Sequence, residues 1–414
     1  MKGDALGHVD DARADVIRAS LPASAVGETV EIASRSGTIL GTVQRVSGGV
    51  ISIAPHGDVE GVRAGNAVRV SRRGSVAPLG TAALGRAIDA RGRAIDGGAQ
   101  IGARPQTIVV IRPTPAERTL PRAPLWTGIK AIDGLLTIAR GGRMGIFGCA
   151  GAGKSSLLMM LEGGSLADVS VVALIGERGR EAREWFARLH PRMTIVCAPS
   201  DRSAAERVAA GRIAVAQAGR LRALGLHVLL ILDSFARLAA ALREVAVACG
   251  EPTGRGGFPG SVFAELARAV EVAGETKTGS ITLAATVLSE EGDARDPVAE
   301  AARSLLDGHI SLSRSLAHAG RFPAIDVAMS VSRLMNVVIE RQHANDAAVV
   351  RRAVCALKAS EDARSLGIAQ ADPWVSAAQQ NEATIEELLR QGAESVAAAR
   401  TLHDLHAVAE RLQP

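Results

Sequence analysis

The stretch from Gly148 to Ser155 has the residue types and the spacing to bind a phosphate chain. It reads Gly-Cys-Ala-Gly-Ala-Gly-Lys-Ser and fits the P-loop pattern G-x-x-x-x-G-K-[ST] at every fixed position. Glycines let consecutive backbone N–H groups turn around an anion, and a following helix N-terminus adds a favourable dipole. Lys154 is then able to reach the terminal phosphates, while the Ser155 hydroxyl can hold Mg²⁺. The expected nucleotide contacts are Gly148, Gly151, Ala152, Gly153, Lys154, Ser155 and Ser156.

Two acidic residues further along the chain each follow an apolar run. Asp233 directly follows Val228–Leu232, and a carboxylate at the tip of a buried strand suits a Walker B aspartate that orients Mg²⁺. Glu177 comes shortly after a run ending at Ile175. In a parallel P-loop sheet the carboxyl ends of the strands face the nucleotide. Glu177 is therefore predicted to polarise the attacking water as a general base, the alternative being a surface carboxylate in a charge cluster.

The elements expected to position these residues form an α/β core. Arg143–Phe147 predicts a strand that enters the phosphate loop, and Ser155–Leu161 predicts the helix that leaves it. A longer helix is expected to open with a capping box at Ser203–Glu206 and to stop at Gly225. Further apolar runs read as buried parallel strands: Val169–Ile175, Met193–Cys197, Val228–Leu232 and Ser280–Val287. Together these features predict a RecA-like P-loop fold.

Composition shifts divide the chain into four predicted segments. Residues 1–24 are polar and mixed, which favours a helix or a flexible arm. Residues 25–95 contain short β-rich runs separated by Gly and Asp, a pattern typical of a small β-barrel. Residues 96–345 hold a Pro-bearing linker and the P-loop core, and residues 346–414 look helical, with another capping box at Thr384–Glu387. The barrel strands are expected at Thr29–Ile32, Thr38–Val43, Gly49–Ile53 and Ala67–Ser71.

Composition limits the classes of partner. The 414 residues are 47% hydrophobic with a net charge of +5, which is mildly basic and does not require nucleic acid. No aromatic residue precedes Trp126, so the predicted barrel lacks the stacking side chains of a single-strand binder and no nucleic-acid partner is expected. The N-terminus lacks the apolar core of a signal peptide, and the run Leu224–Leu232 is too short to span a bilayer. These features predict a soluble or peripheral protein with reduced thiols.

Several segments resemble the ATPases of type III protein secretion, a family that covers flagellar export and injectisome machines. These segments are Leu84–Gly97, Trp126–Leu136, Gly176–Glu181, Asp233–Arg237, Ser261–Leu266, Leu306–Ile310 and Phe322–Asp326. The resemblance covers residues 25 to 345 well and the tail more loosely. This family is similar to the catalytic subunits of rotary ATP synthases, so the resemblance implies a barrel, a nucleotide-binding domain and a helical domain.

The resemblance also implies roles for individual residues. Glu177 matches the family's catalytic glutamate, and Arg178 follows it as in the family. Phe322 matches an aromatic residue that packs on adenine. Arg333 matches the arginine that reaches the neighbouring subunit's site, where its fork would stabilise transition-state charge, although a local salt bridge is the alternative. With Lys154 on the phosphates, these residues imply a Mg²⁺-dependent ATPase acting as a homohexamer.

The resemblance further implies a cellular role. Family members release secretion substrates from chaperones, help to unfold them and pass them to an export gate at the cytoplasmic face of the inner membrane. Their usual partners are a stalk protein and a dimeric regulator. The divergent tail favours an injectisome over a flagellum. Alternatives are a rotary synthase-type subunit, a ring-shaped nucleic-acid translocase and a non-hydrolysing assembly subunit.

Overall fold

A computed structural model describes residues 6–71, 74–288, 296–361, 366 and 372–412. The chain divides into two compact units. The first unit comprises Met1–Arg112, Val169–Leu224 and Leu230–Val272. The second unit comprises Pro113–Asp168, Gly225–Leu229 and Ala273–Pro414. Among the residues the model describes, no helix is both long enough and apolar enough to cross a bilayer.

Strands and helices are numbered in chain order. The strands are β1 (Leu6–Ala12), β2 (Ile17–Ser20), β3 (Thr29–Ser34), β4 (Gly37–Ser47), β5 (Val50–His56), β6 (Ala67–Val70), β7 (Val76–Ala77), β8 (Arg86–Ile88), β9 (Gln106–Thr107), β10 (Arg118–Thr119), β11 (Pro124–Leu125), β12 (Ile138–Ala139), β13 (Arg143–Gly148), β14 (Val169–Ile175), β15 (Met193–Ala198), β16 (His227–Asp233), β17 (Gly274–Thr276), β18 (Ser280–Leu288), β19 (Gly308–Leu312) and β20 (Ile325–Ser332). The α-helices are α1 (Lys130–Leu135), α2 (Lys154–Gly164), α3 (Gly179–Phe186), α4 (Ala204–Ala223), α5 (Phe235–Ala248), α6 (Gly260–Val270), α7 (Pro297–Leu305), α8 (Arg314–His318), α9 (Met335–Val338), α10 (Arg341–Ala359), α11 (Pro373–Gln380), α12 (Glu382–Leu389) and α13 (Ala398–Arg411).

The N-terminal part of the first unit is a closed barrel with the strand order β1-β2-β5-β4-β3-β6. Closure leaves no free sheet edge, which removes a site for unwanted strand pairing. Alternate residues of each strand point inward. The buried apolar side chains of this core are Val9, Ile17, Ala19, Leu21, Val30, Ile32, Val43, Ile51, Ile53 and Val68.

The N-terminal segment differs from the prediction of a helix or a flexible arm. Its described residues form β1 and β2, which belong to the barrel. The period-two signal is present but weak, because buried Gly7 and Val9 alternate with polar His8 and Asp10 in β1. Without tertiary partners, so polar a segment gives little indication of a strand. The barrel strands end at Val70, well before residue 95.

The rest of the first unit has α/β character. Strands β14 and β15 are parallel and pair from Ser170–Met193 to Ile175–Ala198, and β8 pairs in parallel with β15. Every residue of β14 and β15 is buried, as expected for central parallel strands. Helix α4 begins with the predicted capping box of Ser203 and Glu206 and ends at Ala223, close to the predicted stop.

The second unit contains the other parallel strands. Strand β13 pairs in parallel with β18 and with β19, and β20 pairs antiparallel with β19. Thus β13, which leads into the phosphate loop, is flanked on both sides, and its last five residues are buried. Strand β16 begins in the second unit and ends in the first.

Helices dominate the C-terminal part of the second unit, as predicted. Helix α10 begins at Arg341, so the predicted boundary between residues 345 and 346 falls inside a helix. The capping box predicted at Thr384–Glu387 is wrong, because α12 already begins at Glu382, directly after Asn381.

Candidate functional site

The phosphate loop lies in the second unit, between β13 and α2. Gly151 and Gly153 have φ angles of +81° and +91°, which side-chain-bearing residues rarely adopt. Gly153 directly precedes α2, so no N-cap side chain occupies the first N–H groups of that helix. The ammonium group of Lys154 donates hydrogen bonds to the carbonyl oxygens of Gly148 at 2.8 Å and Cys149 at 2.7 Å. The loop therefore surrounds the ammonium group of Lys154 at the start of α2.

This geometry fits the phosphate chain of a nucleotide. A helix N-terminus with uncapped N–H groups and an adjacent lysine form a site for an anion. A Cβ added at Gly151 or Gly153 would meet no other atom within 4 Å, so the loop has open space beside its backbone. Ala152 is buried, Ser155 is half-buried and Ser156 is exposed. The residues predicted to contact the nucleotide thus line one continuous turn.

A second group of functional side chains lies in the first unit and is termed the Glu177 cluster; its members are Glu177, Glu181, Asp233 and Arg237. Glu177 follows β14 and Asp233 is the last residue of β16. The Glu177 carboxylate is 6% exposed and accepts an ion-pair contact of 2.6 Å from the Arg237 guanidinium. The same Arg237 nitrogen donates to the Gly176 carbonyl at 2.6 Å. Glu177 is therefore a buried, held carboxylate and not a surface residue.

The cluster has unusual electrostatics. Burial, the hydrogen bond with Glu181 and the charge of Asp233 raise the pKa of Glu177 above its usual range, and Arg237 only partly offsets this. The hydrogen bond with Glu177 lowers the pKa of Glu181. The hydrogen bond between the two side chains therefore opposes ionisation of Glu177 and favours ionisation of Glu181. A carboxyl group with a raised pKa at a strand end is suited to general base chemistry near neutral pH.

Sequence reasoning assigned no role to Glu181 or Arg237. Arg237 lies in the first turn of α5, three residues after Ser234, whose hydroxyl caps that helix by accepting the Arg237 N–H at 3.2 Å. The segment Asp233–Arg237 holds a partial signal, because Ser234 is a good N-cap residue that places Arg237 in the first turn of a helix, but it does not indicate the contact with Glu177. Arg178, which is predicted to be catalytic, directly precedes α3, and its side chain is exposed.

Two further predicted site residues lie in the second unit. Phe322 is 55% exposed, and its carbonyl accepts the N–H of Gln391 at 2.8 Å. Arg333 is exposed, and its guanidinium makes a long hydrogen bond of 3.4 Å to the Arg303 carbonyl. No carboxylate in the described part of the chain forms a salt bridge with Arg333, so the alternative of a local ion pair gains no support.

Comparisons with known proteins match this chain to one family of nucleotide-binding ATPases. The nucleotide-binding domain model of the ATP synthase alpha/beta family matches residues 128–332. The type 3 secretion system ATPase of Xanthomonas euvesicatoria is 43% identical over 337 residues, which cover 79% of this chain and 76% of that protein. The flagellum-specific ATP synthase of Pseudomonas aeruginosa is 39% identical, with 91% of this chain and 87% of that protein covered.

Solved structures agree with the sequence matches. The assembled ATPase EscN from the type III secretion system of enteropathogenic E. coli aligns with a TM-score of 0.91 at 35% identity, covering 97% of this chain and 100% of that chain. The same ATPase in complex with its central stalk EscO aligns with a TM-score of 0.87 at 36% identity, with the same coverage. These likenesses confirm the predicted fold class: an N-terminal barrel, an α/β nucleotide-binding core and C-terminal helices.

Proposed function

This chain belongs to the family of type III secretion and flagellar ATPases, within the ATP synthase alpha/beta family, and from that membership we propose that it hydrolyses Mg²⁺–ATP to power protein export through an injectisome. It is an ATPase of that family. The observation that carries the proposed mechanism is the buried Glu177, held by Arg237 in a chain with a complete phosphate loop.

In the proposed mechanism, the phosphate loop binds ATP. Backbone N–H groups from Gly148 to Ser156 surround the phosphates, and Lys154 neutralises their charge. Lys154 now donates to two loop carbonyls, which places its ammonium group inside the turn that the phosphates would enter. The half-exposed ring of Phe322 supplies a face on which adenine packs.

The chemical step is assigned to the Glu177 cluster. The Ser155 hydroxyl in the second unit and the Asp233 carboxylate in the first unit each carry the kind of oxygen that Mg²⁺ prefers, so each is proposed as a ligand of an ion that would neutralise charge on the phosphates. Glu177, once deprotonated, accepts a proton from the attacking water while Arg237 holds its carboxylate in place. Arg178, next to Glu177, is proposed to assist at the same site.

Arg333 is proposed to complete the site of a neighbouring copy. Its guanidinium is exposed and, among the residues that the structure describes, makes one long hydrogen bond, so we propose that it reaches a phosphate across an interface. An arginine supplied in trans requires a heterologous ring, which we propose is a homohexamer. The assembled form of the similar EscN supports this assembly.

The proposed partners follow from the family. They are a central stalk protein, as the EscN–EscO complex supports, a regulator, chaperone–substrate complexes and an export gate. The proposed location is the cytoplasmic face of the inner membrane, where the protein is held by these partners. The divergent tail favours the injectisome, and flagellar export is the second candidate because a flagellum-specific relative matches at 39% identity. Neighbouring genes would identify the machine.

The test is the ATPase rate per protomer at increasing protein concentration for the wild type, Glu177→Ala and Arg333→Ala. We expect the wild-type rate to rise with concentration and both variants to be nearly inactive. Mixing the two variants should restore activity, because about a quarter of the interfaces then combine an intact Glu177 with an intact Arg333. Arg341→Ala, which removes an exposed arginine at the start of α10, is the matched control. A rate independent of concentration, with a fully active Arg333→Ala variant, would rule out the shared site.

A further inference from the structure

The segment between α12 and α13, residues 390–397, is termed the tail segment, and Gln391 is its most connected residue. The Gln391 side-chain oxygen accepts the N–H of Lys130 at 2.8 Å. Its side-chain nitrogen donates to the carbonyl oxygens of Gly128 and Glu394, each at 2.7 Å. Its backbone N–H donates to the carbonyl of Phe322 at 2.8 Å. One glutamine thus joins the tail segment to two other stretches of the second unit, Gly128–Lys130 and Phe322.

The tail segment also packs closely against Gly128 and against the C-terminal end of α2. The Val396 N–H donates to the Gly128 carbonyl at 2.9 Å. A Cβ added at Gly128 would lie 2.0 Å from the Ser395 hydroxyl oxygen, and one at Gly164 would lie 3.2 Å from it. Gly164 is the last residue of α2, the helix that begins at the phosphate loop. Glycine at both positions allows the tail segment to approach the far end of that helix.

A second set of contacts flanks Phe322 from α12. Glu386 forms a two-contact ion pair with Arg321, the residue before Phe322. The ammonium group of Lys130 donates to the Glu387 carbonyl at 2.6 Å. Phe322 itself is 55% exposed, so its ring is not fixed by burial. Its position therefore depends on how its backbone is held, and the tail segment holds it from one side.

We propose that Gln391 is a positioning residue for the nucleotide base: it fixes the backbone of Phe322 relative to Gly128–Lys130 and thereby presents the aromatic ring to adenine. This inference rests on the proposed role of Phe322 in ATP binding. It assigns to the tail segment an effect on base binding that acts through Phe322 and does not involve the phosphates. Removing the amide takes the side-chain partner from the Lys130 N–H and from the carbonyls of Gly128 and Glu394, and the Gly128 carbonyl keeps its hydrogen bond from Val396, so the junction is loosened.

The test is steady-state ATPase kinetics of the full chain for wild type, Gln391→Ala, Phe322→Ala and the double variant. We expect Gln391→Ala to raise the KM for ATP about tenfold, the loss expected for a few weakened hydrogen bonds, while kcat stays within about twofold. The inhibition constant of inorganic tripolyphosphate, which has no base, should be unchanged. In the Phe322→Ala background, Gln391→Ala should add almost nothing, because the two residues act through one contact.

Two controls separate positioning from general loosening. Gln380→Ala removes an exposed glutamine at the end of α11 and should leave all parameters unchanged. Gln391→Met keeps the side-chain length without its hydrogen bonds, and it replaces Gln391→Ala if that variant does not fold. The inference is wrong if Gln391→Ala leaves the KM for ATP unchanged or if it weakens tripolyphosphate inhibition in parallel. It is also wrong if the effects of Gln391→Ala and Phe322→Ala on KM add in the double variant. If Phe322→Ala itself leaves KM unchanged, the proposed adenine contact fails together with the inference; if only the glutamine variants are silent, the adenine contact stands.

Discussion

The phosphate loop and the Glu177 cluster are built in opposite ways. The loop is one run of consecutive residues that works through backbone N–H groups, positive φ angles and one lysine. The Glu177 cluster takes its members from the ends of two strands and the first turns of two helices, and it works through side-chain charge. Phosphate binding is thus encoded locally, whereas the proposed chemistry depends on tertiary contacts around Glu177. Substitutions in the two regions should therefore fail in different ways.

Lys154→Ala should have the largest effect. Loss of the ammonium group removes the main positive charge offered to the phosphates, so we expect nucleotide binding to be lost and turnover to fall by roughly three orders of magnitude. Binding of a fluorescent ATP analogue and the ATPase rate should fall together. Lys277→Ala, at an exposed position, is the control. Retained binding would show that the backbone alone holds the phosphates.

Arg237→Ala should reduce turnover by about a hundredfold while nucleotide binding changes much less. The ion pair that holds Glu177 is lost, and the pKa of Glu177 rises further because the Arg237 charge that lowers it is gone. Arg237→Lys keeps the charge but not the fork, so its rate should be intermediate. The measurement is single-turnover hydrolysis, with Arg180→Ala, 91% exposed on α3, as the control. An equal loss of binding and turnover would show that Arg237 acts in nucleotide binding, as the phosphate loop does.

Glu181→Gln should shift the pH dependence with a smaller change in maximal rate. The general base must be deprotonated, so kcat/KM should rise with pH through the raised pKa of Glu177 and then level off. Replacing Glu181 removes the partner whose hydrogen bond raises that pKa. The rising limb should therefore move to lower pH, by about one unit. A profile identical to that of the wild type would show that the hydrogen bond with Glu181 does not raise the pKa of Glu177.

Cys149→Ala should have the smallest effect. The thiol is 6% exposed, and the loop residue takes part through its carbonyl, which accepts from Lys154. Because alanine keeps that carbonyl, we expect KM and kcat within about twofold of the wild type. A large loss would show that loop side chains other than Lys154 and Ser155 contribute to binding.

The contrast between a local loop and a cluster built by tertiary contacts also explains which features could be predicted from the sequence. The P-loop, the buried strand Val169–Ile175 and the capping box at Ser203 were predicted correctly, because each rests on a local pattern. The capping box at Thr384 was wrong because α12 already begins at Glu382, so Thr384 lies inside the helix; the Asn381 side chain before it makes no capping hydrogen bond. A residue that is able to cap a helix therefore does not by itself decide where the helix begins.

Features that need distant partners were missed. Strands β1 and β2 are polar on their outer faces and become recognisable only when the barrel closes around Val9 and Ile17. Glu181 and Arg237 stand in segments that were noted, but their contacts with Glu177 depend on how α3 and α5 leave their strands. Local propensity cannot provide that information.

The most direct test of the division between binding and chemistry uses Glu177→Gln. We would measure equilibrium binding of a fluorescent ATP analogue and single-turnover ATP hydrolysis on the same preparation, at a concentration where the wild type is fully active. Glutamine keeps the shape of the side chain but accepts no proton, so binding should stay within about threefold while hydrolysis falls at least a hundredfold or so. Hydrolysis within tenfold of the wild type would contradict the assignment of Glu177 as the general base.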